Sequence, residues 1–252
     1  MNILVGCKVV FEEQDIAVNS DNSLDFSRAN PKISQFDLNA LQVAVDIKST
    51  IPEANIKVVS IGGKNLENSK VRKDILSRGA DELNIVMSDK FENILASDTA
   101  EIFKLAAQNL GFDLIICADG SADLFAGQVG IRTASLLNVP AINAVSKIIS
   151  VDSSKIVVLR ELENETQELE IALPAVICVS ADINEPAIPG MKAILAAAKK
   201  PVNSLNLEVN LNNLVNLVEV KAPKRKDRLK IIAQSDSDEA LAEFISNFKK
   251  AL

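Results

Sequence analysis

The stretch DLIICADGSADLFAGQVGIRTASLL, from Asp113 to Leu137, carries the residues best suited to hold an anionic ligand. It reads as strand, loop and helix. Gly120, Gly127 and Gly130, together with the small Ser121, Ala122 and Ala126, let the backbone approach a ligand closely. A helix N-terminus after such a loop offers free N–H groups and a partial positive charge to a phosphate. The loop is neither the dinucleotide fingerprint GxGxxG nor a P-loop, since no GK[ST] follows. Read alone, it serves either an anion or a tight structural turn. Asp119 and Asp123 would repel a phosphate, so they fit better as caps or as acceptors from ribose hydroxyls and adenine nitrogen donors. Two further glycine-bearing ends, Gly6–Lys8 and Ser60–Lys64, suit either a ligand crevice or plain strand-to-helix turns.

Other chemistry is excluded by what the chain lacks. None of its 252 residues is His, Trp or Tyr. There is therefore no Ser-His-Asp triad, no Cys-His pair and no zinc site built on imidazole, and any base must be a carboxylate or a Lys. Cys7, Cys117 and Cys178 are too far apart in sequence for a CxxC pair and lie in apolar runs, which predicts buried packing in a reducing compartment. The charge of −7 and the restriction of aromatics to nine Phe argue against nucleic acid as a partner. No run reaches the ~18 apolar residues of a membrane span, and MNILVGCKVV lacks the marks of a signal peptide. A cytoplasmic protein without membrane insertion is expected.

The elements that must position these loops are legible as short apolar runs. Ile3–Val10, Ile56–Ile61, Leu83–Met87 and Leu114–Ala118 are continuous rather than alternating, as in a parallel sheet covered on both faces. Between them, Phe36–Lys48, Ser69–Arg78 and Thr99–Leu110 have helical spacing, with Gly79 and Gly111 as caps of the last two. In the first, Leu38, Leu41, Val45 and Lys48 mark the stripe. After Pro140, Ala144–Ser150, Lys155–Leu162 and Glu168–Leu173 read as an antiparallel meander with turns at VDSS and ENET, followed by a buried strand at Ala175–Ser180. INEPAIPG predicts an irregular loop before a helix at Met191–Lys200. Asn203–Lys230 shows no sustained period and holds a basic cluster from Lys221 to Arg228. A last helix, capped by Ser237 or Asp238, places Leu241, Phe244, Ile245 and Phe248 on one face. Such an arm either embraces a partner or folds onto its own domain.

Several motifs, in order along essentially the whole chain, resemble the beta subunit of electron transfer flavoproteins, most closely the FixA type. They are LVGCK at the start, SQFDLNAL (Ser34–Leu41), SRGADE (Ser77–Glu82), DGSADLFAGQVG (Asp119–Gly130) leading into LLNVPAINAVSKI, then LREL, LPAV, DINEPAIPGMKAILAAAKKP (Asp182–Pro201) and PKR near Pro223.

The resemblance implies an α/β fold, a Rossmann-like open parallel sheet of the adenine-nucleotide-binding type with an antiparallel insertion and a C-terminal arm. It divides the chain into a nucleotide-binding domain, 1–202, and an arm and helix, 203–252, that pack on an alpha subunit of FixB type. The redox FAD belongs to the heterodimer, and the beta chain holds AMP or, in electron-bifurcating members, a second FAD. Carried over, that site uses Gly6, Ser34, Gln35, Phe36, Asp37, Ile61, Asp119, Gly120, Ser121, Asp123 and Gly127. Gln128, Val129 and Gly130 face phosphate, and Phe36 and Ile61 pack on adenine. Arg160 and Glu161 match positions near the alpha-subunit flavin, or read alone form a solvated strand edge. Asn184, Glu185, Pro186 and Met191 match a loop that docks on a dehydrogenase of acyl-CoA type; Met191 read alone is ordinary core. Lys199–Lys200 is shorter than the family's lysine run. The acceptor would be a quinone or ferredoxin-like carrier. The chain is thus expected to be an electron carrier subunit with no catalytic residue and no metal. The rival readings are a stand-alone nucleotide-binding or nucleotide-sensing module without redox role, and a free-standing adenylating enzyme, for which no phosphate-gripping Lys or Arg cluster is found.

Overall fold

The structure, a computed structural model, describes residues 1–211, 215, 217–224 and 237–251. The basic cluster from Lys221 to Arg228 lies partly outside these residues. The strands are β1 (Asn2–Gly6), β2 (Val9–Phe11), β3 (Ala17–Val18), β4 (Leu24–Asp25), β5 (Pro31–Ile33), β6 (Asn55–Gly62), β7 (Glu82–Met87) and β8 (Leu114–Ala118). They continue with β9 (Ala141–Val151), β10 (Lys155–Glu161), β11 (Thr166–Ala172), β12 (Ala175–Val179) and β13 (Val202–Ser204). The helices are α1 (Gln35–Thr50), α2 (Ser69–Ser77), α3 (Ala96–Leu110), α4 (Val129–Leu137), α5 (Met191–Ala197) and α6 (Asp238–Ala251).

One nine-stranded sheet, in the order β11-β10-β9-β12-β8-β1-β6-β7-β13, organises the larger unit, residues 1–17 and 25–219. The strands from β9 to β13 in that order are parallel, and β10 and β11 add antiparallel pairs, so the protein is α/β with a Rossmann-like, mostly parallel sheet. A period of two sorts the central side chains. Ile3, Val5, Leu114, Ile116, Ala175 and Ile177 enter one apolar cluster with Ala40, Leu41, Ala44 and Ile47 of α1 and Ile75 and Leu76 of α2. Leu4, Ile115, Cys117, Val176 and Cys178 enter the other, with Ile102 and Phe103 of α3 and Ala134 of α4. Both faces being covered explains why these strands are apolar without a break. All three cysteines are buried and unpaired by disulfides.

The structure adjusts several sequence expectations. Ile3–Val10 is two strands, because the Lys8 N–H donates to the Asp37 carboxylate at 2.8 Å and the Lys8 carbonyl accepts from Ser34 N–H at 2.9 Å. These bonds draw the chain out of the large sheet, and β2 pairs instead with β5. In α1 the buried residues are Asp37, Asn39, Ala40, Leu41, Val43, Ala44 and Ile47, while Leu38 and Val45 are only partly buried. Gly111, at φ +67°, ends α3 with its N–H on the Ala107 carbonyl, and Gly79 lies at φ +106° just beyond α2. The meander is present as β9–β11, but β9 begins three residues earlier than the sequence predicts.

The stretch after Pro201 is more ordered than its composition indicates. β13 pairs in parallel with β7, and the Leu205 N–H donates to the Ile85 carbonyl at 2.8 Å. Leu205, Leu207, Val209 and Leu211 then alternate with exposed Asn206, Glu208 and Asn210 and pack against the α3-side cluster. The smaller unit, residues 18–24 and 220–252, contains α6. There the Ser237 hydroxyl oxygen accepts the Ala240 N–H at 3.2 Å and serves as the N-cap, and Leu241, Phe244, Ile245 and Phe248 are exposed. Among the described residues no helix is long and apolar enough to cross a membrane.

Candidate functional site

Parallel strands place all their carboxyl ends on one edge, where an open α/β sheet holds ligands. At that edge the turn after β1, the start of α1 and the loop between β8 and α4 are tied together. Ser34, fully buried, accepts the Ala122 N–H on its hydroxyl oxygen at 3.2 Å. Lys8 Nζ bonds Asp123 Oδ2 at 2.6 Å. Asp123 Oδ1 accepts from Ser121 Oγ at 2.5 Å and from the Leu124 N–H at 2.8 Å. Gly6, the last residue of β1, has Phe103 and Cys117 packed so close that a Cβ there would stand 3.1 Å from the Phe103 ring. The structure thus brings Gly6, Ser34, Gln35, Phe36, Asp37 and the loop Asp119–Gly130 to one place.

Ile61 is also at this edge, near the end of β6, but it packs with the α3-side cluster whereas α1 covers the opposite face. The ring beside Phe36 is Phe125, 5.0 Å between centroids. Phe125 lies within the loop Asp119–Gly130 but is not one of the positions singled out there from the sequence. It is 58% exposed, has φ +46°, and its ring lies where a Cβ on Gly120 would come within 2.5 Å. A bulky residue with left-handed φ is an outlier that the surroundings must enforce.

The α4 N-terminus is shaped by glycine and left without a side-chain cap. Gly127 has φ +62°, and Gly130 admits the Cys178 sulfur to 2.4 Å of its missing Cβ. Gln128, the N-cap residue, uses its Oε1 to accept from Arg132 Nε at 2.8 Å rather than to cap the first turn. The first-turn N–H groups are therefore available to an anion.

The acidic groups are tuned differently. Burial raises the Asp37 carboxyl to about 7, against the pull of the Lys8 N–H, the Lys8 charge and the Ser34 hydroxyl. Burial also works to raise Asp123, but the Lys8 ammonium and the Ser121 hydroxyl outweigh it and its net direction is down. Asp119 is raised by burial, although its Oδ1 accepts the Ala144 N–H at 3.1 Å. Burial likewise pushes the Cys7 and Cys117 thiols up, and Cys178 to about 12. Among the described residues no group of three His, Cys, Asp or Glu could hold a metal ion.

A family model described as the electron transfer flavoprotein domain matches residues 22–210. The chain belongs to the electron transfer flavoprotein domain family.

In this electron transfer flavoprotein-family chain the remaining predicted positions fall on elements other than the glycine loop. Arg160 and Glu161 end β10, where Arg160 Nη2 donates to Asn143 Oδ1 at 2.7 Å and Glu161 is exposed. Asn184 is fixed rather than free, because Asn39 Nδ2 donates to its carbonyl at 2.8 Å and its own Nδ2 donates back to the Asn39 carbonyl at 3.2 Å. Glu185 is exposed and Pro186 half-buried beyond this clamp. Met191 is 72% exposed, next to Ile188, Ile194 and Leu195, which are exposed as well. Ordinary core packing is thereby ruled out for Met191.

Proposed function

We propose that this flavoprotein-family chain is a beta-type subunit of the FixA branch, one half of a heterodimer that carries electrons from a dehydrogenase to a quinone or ferredoxin-like acceptor. The observation that carries the nucleotide part is the joining of three strand-end loops through Lys8, Ser34 and Asp123, beside an α4 N-terminus without a side-chain cap. AMP or a second FAD suits this set. Phosphate would be held by the Gln128, Val129 and Gly130 N–H groups, and ribose or adenine donors by Asp119 and Asp123. Phe36 and Phe125 supply apolar ring faces, with Ile61 nearby at the end of β6. A bound FAD supplies the electron-carrying chemistry of the heterodimer, and this chain positions it and docks partners, which requires no proton-transfer side chain.

The exposed cluster Ile188, Met191, Ile194 and Leu195 supports docking on a dehydrogenase of acyl-CoA type, with the Asn39–Asn184 clamp holding the base of that loop. Solvent-facing apolar side chains of this number mark an interaction surface. The exposed face of α6 supports packing of the arm, 203–252, on a FixB-type alpha subunit through the part beyond Leu211, since residues 203–211 pack on this chain's own sheet and α3-side cluster, with 1–202 as the nucleotide-binding part. Arg160 and Glu161 are proposed to face the alpha-subunit flavin.

Co-expression with the alpha partner, followed by extraction and a count of nucleotides per heterodimer, tests the reading. One flavin with one AMP is the outcome for a conventional carrier, and two flavins for a bifurcating one. A chain that forms no flavin-containing heterodimer would be a stand-alone nucleotide-binding module instead.

A further inference from the structure

Strand β9 is kinked where it passes the loop after β8. Ala144 adopts φ +56°, a left-handed conformation that costs a residue with a Cβ about 1–2 kcal/mol. Both neighbouring ladders slip there: β12 passes from the pair Ile177–Ile142 to Val179–Val145, and β10 from Leu159–Lys147 to Arg160–Val145. A conformation of this kind persists only where its surroundings over-determine it. Asp119 Oδ1 accepts the Ala144 N–H at 3.1 Å, and the next carbonyl, that of Val145, accepts the Ser180 N–H at 3.0 Å.

The residue before the kink meets β10. Asn143 Oδ1 accepts from Arg160 Nη2 at 2.7 Å, while Arg160 Nε is buried with no hydrogen-bond partner among the described residues. The guanidinium is thus held through its outer end, by a side chain whose backbone neighbour hangs on Asp119. The Arg160 charge also acts on Asp119, favouring the ionised carboxylate against burial.

We infer that Asp119 is a positioning residue that fixes Arg160 through the β9 kink and so couples the nucleotide loop to the end of β10. Where that coupling ends, at a flavin, rests on the proposed function; the coupling within this chain does not. Asp119 contributes two separable things, an acceptor for the Ala144 N–H and a negative charge near Arg160. Asn at this position keeps the first alone, and Ala keeps neither.

Nuclear magnetic resonance of the full-length chain, labelled with nitrogen-15, reads the Ala144 amide and the Arg160 Nε–H separately. In Asp119→Ala the Ala144 amide exchanges at least about tenfold faster and the Arg160 resonance moves, whereas Asp119→Asn keeps slow exchange. Faster Ala144 exchange with an unmoved Arg160 resonance overturns the inference. Asn143→Ala, at an exposed position, avoids any loss of fold: it moves the Arg160 resonance and leaves Ala144 exchange as in wild type. An unmoved Arg160 resonance there also overturns it. Saturation with AMP moves the Arg160 resonance in wild type and not in Asn143→Ala; binding without movement in wild type refutes the coupling. If AMP does not bind wild type at all, the AMP assignment falls, and the ligand-free comparison still decides the role of Asp119.

Discussion

Lys8 reaches from the turn after β1 to Asp123 in the loop before α4, Nζ to Oδ2 at 2.6 Å. Each side chain is 39% exposed, so solvent screens the pair and its share of folding stability is below about 1 kcal/mol. If the loop holds a nucleotide as proposed, the pair also keeps Asp123 from presenting an unbalanced charge to the phosphate. Lys8→Met is expected to leave the urea midpoint nearly unchanged and to weaken AMP binding at least about fivefold, about 1 kcal/mol, by calorimetric titration. A large stability loss with unchanged affinity would reverse that assignment.

Asp37 makes stability depend on pH in the opposite sense to an ordinary salt-bridged carboxylate. Its folded pKa of about 7 lies above the usual unfolded value of about 3.9, so the folded state binds more protons between the two. The stabilisation is complete below about pH 4 and is lost as pH rises to about 7, on the order of 4 kcal/mol in all. Asp37→Asn retains an acceptor for the Lys8 N–H but cannot ionise. Denaturation midpoints should show the variant gaining on wild type from pH 4 to pH 8; parallel profiles would refute the buried, proton-binding state of Asp37.

Phe125 and Gly120 should behave as one unit. Removing the ring in Phe125→Ala is expected to weaken adenine-nucleotide binding by about 1–3 kcal/mol, the range for a lost base-stacking partner. Gly120→Ala puts a methyl 2.5 Å from the same ring and must displace it. If Gly120→Ala has the affinity of wild type while Phe125→Ala does not, the ring is not held by Gly120.

Gly130 tests packing against helix propensity. Alanine is better than glycine inside a helix by about 1 kcal/mol, yet its Cβ would lie 2.4 Å from Cys178 Sγ and 3.2 Å from Cys117 Cβ. Overpacking costs about 1–3 kcal/mol, so Gly130→Ala is expected to destabilise. In a Cys178→Ala background the same change should turn neutral or stabilising. Equal effects in both backgrounds would show that the sulfur is not the obstacle.

The central sheet was legible because burial on both faces demands unbroken apolar runs, and Ile3–Val5, Leu114–Cys117 and Ala175–Val179 supply them. The glycine loop was legible as the link of a strand–loop–helix unit, because its small residues and glycines interrupt the apolar pattern between Leu114–Ala118 and Val129–Leu137. The break at Lys8 was not, since it depends on the Asp37 carboxylate 29 residues away. Nor was the Ala144 kink, because alanine has no intrinsic preference for left-handed φ and the partner of its N–H is Asp119, 25 residues away in the loop after β8. Leu205–Leu211 alternates with period two, but a seven-residue pattern among scattered Asn residues is weak until the α3-side surface is there to receive it.

The burial of Cys7, Cys117 and Cys178 gives the molecule a built-in clock. Raised pKa values leave little thiolate to react, so an alkylating reagent marks these sulfurs only when the sheet opens around them. Labelling at Cys117 and Cys178, which are paired on adjacent strands beneath α4, times the opening of the sheet centre. Labelling at Cys7 times the release of the turn that Lys8, Asp37 and Ser34 hold. The chain therefore reports, without any introduced probe, whether the sheet centre or the turn after β1 lets go first.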